Sequence, residues 1–133
     1  DLKPENSSDT LYGLHTLGTV LVKLNQIQEG IRVLLVCEEI IKKYNMQQHY
    51  SASCIYYELA QAYLVIGNLQ KAKMYVLMSL NIRQFLHKIN GHANSLVQTL
   101  NLLGDVYLKL GNKTQAEEAY INAKQILSNW ECC

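Results

Sequence analysis

The stretch Thr99–Ala123, TLNLLGDVYLKLGNKTQAEEAYINA, decides the fold. Leu100, Leu103, Val106, Tyr107 and Leu110 recur at spacings of three and four, which puts them on one face of an amphipathic helix. Gly111-Asn112 interrupts the pattern as a left-handed helix end does. A second helical stretch follows and carries Ala116, Tyr120 and Ala123. Two antiparallel helices joined so tightly approach closely only where small residues sit at the crossing. Gly104, Ala116 and Ala123 are the candidates here.

The same phase occurs twice more upstream. Asn25, Gly67 and Gly111 are 42 and 44 residues apart. Before them come Leu17-Gly18, Leu59-Ala60 and Leu103-Gly104, with Leu21, Tyr63 and Tyr107 four residues after each leucine. After them come Gly30, Ala72 and Ala116, then Leu34, Val76 and Tyr120, then Cys37, Ser79 and Ala123. Each crossing position is small in all three units. An ordinary six-helix bundle needs no such phase, whereas stacked hairpins do. Asn45 and Asn90-Gly91 mark the turns between units, and the one proline, Pro4, lies ahead of them all. The reading is an all-α chain of about six helices. A polar lead, residues 1–9, offers Ser7, Ser8 and Asp9 as helix caps. One domain follows over 10–133, with repeats at about 10–45, 46–90 and 91–130.

This pattern resembles the tetratricopeptide repeat, roughly W-x2-L-G-x2-Y followed by A-x3-F-x2-A. The third unit matches at Leu103, Gly104, Tyr107, Gly111, Ala116, Tyr120 and Ala123. The second keeps Leu59, Ala60, Tyr63, Gly67 and Ala72 with Val76 at the aromatic position; the first keeps Leu17-Gly18. Leu14, Tyr56 and Leu100 stand where the family has Trp, and its repeat-end Pro is absent. The resemblance spans about residues 10–128. The period exceeds the usual value of about 34 residues, so the chain looks like the long-repeat variety of kinesin light chains and spindle-orientation adaptors. Thr99–Tyr107 is especially similar to theirs. The resemblance implies a right-handed α-α solenoid of three hairpins and a non-enzymatic protein-interaction role.

Composition narrows the function classes. Twelve basic against eleven acidic residues give a net charge of +1, which argues against a nucleic-acid or anionic-membrane surface. Apolar runs reach five residues, as at Val33–Cys37, far short of the roughly 20 a membrane span needs. The start is polar, with no signal-peptide core and no Met, which suggests a piece of a longer protein. Cys37, Cys54, Cys132 and Cys133 lack metal-site spacing. Cys37 and Cys54 are read as buried free thiols, pointing to a reducing, intracellular setting, cytoplasmic or nuclear. Cys132-Cys133 is read as an unmodified end rather than a lipidated one.

Catalytic constellations are thin. His15, His49, His87 and His92 fall in different helical phases, and His49 and Cys54 lie about 140° apart round a helix. Glu38-Glu39 and Glu117-Glu118 are adjacent, about 100° apart, as charges on solvated faces are. No phosphate-binding glycine loop, metal set or cofactor motif is present.

In the family, first helices line a concave groove. The resemblance therefore implies Tyr12, His15, Thr19, Val22 and Lys23 as partner-binding residues in the first unit. The second supplies Tyr57, Gln61, Leu64 and Val65; the third supplies Gln98, Asn101, Asp105, Leu108 and Lys109. Such amide, aromatic and aliphatic groups suit a peptide segment. His15, Thr19, Gln61, Gln98 and Leu102 occupy the positions at which chaperone-binding members grip a terminal carboxylate, and none supplies a cation fork. Of the groove asparagines that kinesin light chains use, only Asn101 is matched. The competing reading is an architectural segment of a larger assembly or superhelix. Charged residues make up 17%, against about 25% in an ordinary domain. Tyr44, Tyr50, Tyr56, Tyr57 and Tyr75 add candidate interface groups. Leu127 and Trp130, on the last helix, call for a cover from further repeats, from self-association or from the tail.

Overall fold

Asn25, Asn45, Gly67, Gly91 and Gly111 have φ of 66°, 53°, 84°, 71° and 85°, the left-handed conformation that ends a helix. At four of these ends the next amide reaches back across the last turn: Gln26 to the Leu21 carbonyl, Met46 to Ile41, Asn68 to Tyr63 and Asn112 to Tyr107, at 2.8–2.9 Å. Each is a Schellman closure, satisfying carbonyls that the helix end would leave bare. A computed structural model describes residues 7–91 and 93–131. Between the turns run α1 (Ser7–Lys23), α2 (Ile27–Lys43), α3 (Tyr50–Val65), α4 (Leu69–Asn90), α5 (Ala93–Leu110) and α6 (Lys113–Glu131). No strand occurs among the described residues. Ser7 to Asp9, expected in the polar lead, already belong to α1. Residues 1–6, His92, Cys132, Cys133 and the Trp130 side chain lie outside the described residues.

The helices form three hairpins, α1/α2, α3/α4 and α5/α6, and each second helix packs on the next first helix. First helices also touch one another, α1 with α3 and α3 with α5. Among the described residues the α2 backbone does not approach that of α4, nor the α4 backbone that of α6. Crowding on one side and separation on the other curve the stack, with the first helices inside. This is the solenoid that the repeat phase implies.

The crossing positions explain why the hairpins close. Gly18 and Gly30 face each other, so a Cβ on Gly30 would lie 3.1 Å from the Gly18 carbonyl oxygen. Cys37, Ala60, Ala72, Ser79 and Ala116 are fully buried and Ala123 nearly so. Tyr56, Tyr63 and Tyr75 build the centre. The Tyr75 ring stacks on Tyr63 at 5.7 Å and on Tyr56 at 6.0 Å, and its hydroxyl donates to Glu38 of α2 at 3.0 Å. Tyr56 and Tyr75 are therefore core residues rather than interface groups; Tyr44 and Tyr57 are half-buried, and Tyr50 is exposed. Leu17 departs from its repeat equivalents. Leu59 and Leu103 are buried on helices against which α2 and α4 pack, whereas Leu17 lies open on α1, against which no preceding helix packs among the described residues.

Candidate functional site

A buried arginine organises the floor of the inner face. Arg83 of α4 is buried at the junction of α3, α4 and α5. Its Nε donates to Ser53 Oγ at 3.1 Å, and one terminal nitrogen donates to Thr99 Oγ1 at 2.7 Å and the Ser95 carbonyl at 3.3 Å. The other approaches Cys54 Sγ at 3.5 Å. Among the described residues no carboxylate lies within ion-pair distance of it. Two aromatic faces serve instead: its carbon centre lies 4.9 Å from the Tyr57 ring and 5.5 Å from Tyr50. The neighbouring hydroxyls are themselves fixed, since Ser53 donates to the Tyr50 carbonyl and Thr99 to the Ser95 carbonyl. Ser79 then donates to the Ser53 carbonyl, extending the network along α4.

Above this floor, α1 and α3 enclose a cavity of about 300 Å³. Leu11, Tyr12 and His15 line it from α1, Met46 from the loop, and Tyr50, Ser51, Cys54 and Ile55 from α3. Its walls are mainly apolar, with the imidazole, hydroxyls and thiol as the polar groups, a composition that suits an apolar side chain. A shallower hollow adjoins it, lined by Tyr12, His15, Thr16, Thr19, Val20, Lys23 and Glu58. Tyr12, His15, Thr19 and Lys23, all named from the sequence, thus gather on one surface.

Burial lowers the His15 pKa, favouring a neutral imidazole. Burial raises the Glu58 pKa, while Lys23 and Arg83 pull it back down. Tyr57 is half-buried and accepts a hydrogen bond from Gln61 Nε2 at 3.4 Å. Leu64 is half-buried against the core, and Val65 is exposed. Val22 turns out of the groove set, because its side chain packs on Gly30 of α2. On α5, Gln98, Asn101, Asp105, Leu108 and Lys109 are exposed. Asp105 is engaged, accepting the Tyr120 hydroxyl from α6.

Two participants were not among the groove residues named from the sequence. Cys54, read as a buried thiol, is half-exposed in the cavity wall, and only Cys37 is fully buried, its thiol raised to about 11 by burial. Its place one turn before Tyr57, at the same repeat phase as Tyr12 and Gln98, was the available signal. Arg83 sits at the phase of Ile41 and Leu127, so nothing local marks it as polar anchor.

No group of three or more His, Cys, Asp or Glu among the described residues could hold a metal. No helix among them is long and apolar enough to cross a membrane.

The crystal structure of BtubC (BKLC) from P. vanneervenii is similar, with a TM-score of 0.85 and 22% identity over 91% of this chain. The match covers 48% of that protein, so the chain spans about half its length. The TPR domain of Arabidopsis FLU has a TM-score of 0.79 and 15% identity, covering 92% of this chain and 98% of that one. These likenesses concern the fold. No curated protein matches the chain in sequence. The tetratricopeptide repeat family model matches residues 51–129, more than half of the chain. Such domains generally serve as protein–protein interaction modules. With its three stacked hairpins and that match, the chain belongs to the tetratricopeptide repeat family.

Proposed function

We propose that the inner face of the first helices binds a peptide segment of a partner protein, as a non-catalytic adaptor surface. The observation that carries this reading is the cavity between α1 and α3. It is of a size to accept an apolar side chain and is flanked by a hollow bearing Tyr12, Thr19 and Lys23. The exposed amides of Gln98 and Asn101 on α5 supply donors and acceptors for a peptide backbone running along the same side. Free thiols at Cys37 and Cys54 support a reducing, intracellular setting.

Selection of peptides from a random display library on the 133-residue chain tests the proposal. Selected peptides should carry an apolar anchor and lose at least about tenfold in affinity, about 1.4 kcal/mol, on Tyr12→Ala or Asn101→Ala. Both positions are exposed, so helicity and melting should stay near wild type. Peptides that bind equally well to both variants, or a library that yields no binders, would overturn the reading.

A further inference from the structure

We propose that the outer groove between α2 and α4 is a second docking surface, which takes an acidic amphipathic helix of a partner protein. The second helices stand apart on the outer side of the stack, and the hydrogen bond from Tyr75 to Glu38 joins α4 to α2. The corresponding space between α4 and α6 is a hollow of about 260 Å³. Gln84 lines it from α4, Asn122 and Asn129 from α6, and Leu100 from α5. One repeat earlier these positions are Lys42 on α2, Met78 and Phe85 on α4, and Tyr56 on α3. The register thus gives the first groove an aromatic, apolar and basic lining where the second has carboxamides. A hairpin added at either end would extend the stack and leave this groove open.

Phe85, the only phenylalanine of the chain, is 55% exposed, and Ile89 one turn further on is 63% exposed. Lys43 and Asn129 stand at the phase of Phe85 on α2 and α6, so the repeat itself requires no apolar group there. Met74, Met78, Phe85 and Ile89 follow at intervals of four, seven and four, an apolar stripe about 22 Å long. Such a stripe beside a groove between two helices suits the apolar face of a third helix. Charge selects that helix's other face. α4 carries no Asp or Glu. Lys42, Lys43 and Lys88, in the last turns of α2 and α4, are all exposed. No ion pair among the described residues engages them. Glu38 is held by Tyr75, which leaves Glu39 as the exposed acid in the C-terminal half of α2. Two copies packed stripe to stripe would set lysine against lysine, whereas carboxylates flanking an apolar face meet these cations.

Phage display of amphipathic helices of about 16 residues, some four turns, tests the proposal. Leucine is fixed along one face, and Asp, Glu, Lys, Arg, Ser and Gln are randomised over the rest. The library is depleted on Phe85→Glu and then selected on the wild-type chain. Survivors should be enriched in Asp and Glu over Lys and Arg. Their affinity should fall with added salt, and by at least about tenfold when Lys42→Glu and Lys43→Glu are combined. Ile89→Ser should weaken them as well, while Tyr12→Ala, in the inner cavity, should leave them unchanged. Circular dichroism checks that every variant keeps its helices. A selection without survivors would overturn the proposal, as would survivors that are basic or uncharged, or that Tyr12→Ala weakens. So would a wild-type dimer that Phe85→Glu dissolves, which would make a second copy the occupant. Binding to phosphatidylserine vesicles that Phe85→Glu abolishes would overturn it in favour of a lipid surface.

Discussion

The Tyr120 ring lies against Gly104, so close that a Cβ on the glycine would come within 2.6 Å of the ring's Cζ. Alanine is the better helix former by about 1 kcal/mol, yet the clash at this crossing should outweigh it. Gly104→Ala is expected to destabilise the chain by about 1–3 kcal/mol. Gly13→Ala, in the middle of α1 with open space around it, is expected to stabilise by about 0.5–1 kcal/mol. Urea unfolding followed by circular dichroism measures both, and equal signs would contradict the crossing geometry.

The same tyrosine makes a pH prediction. Partial burial and the Asp105 carboxylate raise the Tyr120 hydroxyl from 10.0 to about 12. The folded state therefore holds this proton more tightly than the unfolded state. That contribution is complete below pH 10 and is lost as pH rises through about 12. Tyr120→Phe should lose less stability than wild type across this window, measured as urea midpoints at successive pH values.

Arg83 sits where the other two units carry Ile41 and Leu127, and its hydrogen-bond partners have other acceptors of their own. Arg83→Met, apolar and of similar length, should therefore stay within about 1 kcal/mol of wild type or exceed it. Arg83→Ala should cost about 2–5 kcal/mol by leaving a cavity. Thermal unfolding of the two variants compares them directly; comparable losses would show that the cation itself is required for folding.

Cysteine chemistry should separate the two internal thiols. In a Cys132→Ser, Cys133→Ser background, iodoacetamide should modify the half-exposed Cys54 first. Cys37, buried and with its thiol raised to about 11, should react only as fast as the core opens. Peptide mapping by mass spectrometry reads the order. A benzyl-sized adduct at Cys54 should also fill the cavity and weaken the selected peptides.

Much of the fold was legible because its determinants are local. Gly67-Asn68 and Gly111-Asn112 announce left-handed helix ends, and Gly18, Gly30 and Gly104 announce close crossings, each within a few residues of chain. Of the candidate site, repeat phase alone brought Tyr12, His15, Thr19 and Lys23 onto one surface. Arg83 was not, since its environment is assembled from Ser53, Ser95, Thr99 and two tyrosines on other helices. Val22 was misplaced because Gly30 across the hairpin draws its side chain inward. Leu17 shows a further limit: phase states what a position is built to meet, whereas exposure depends on the neighbour present.

The two joints between hairpins differ in kind. The joint between α4 and α5 is pinned by directional hydrogen bonds from Arg83, while the matching position between α2 and α3 holds only the greasy surface of Ile41. Apolar surfaces slide with little penalty, but hydrogen bonds resist changes of angle. The first articulation carries the part-buried Tyr75–Glu38 hydrogen bond, whereas the second has two from a buried arginine, so bending of the rod should concentrate at the first. The cavity bounded by Tyr12 and Cys54 spans that articulation, so its width is set by the bend, letting one scaffold grip side chains of different girth.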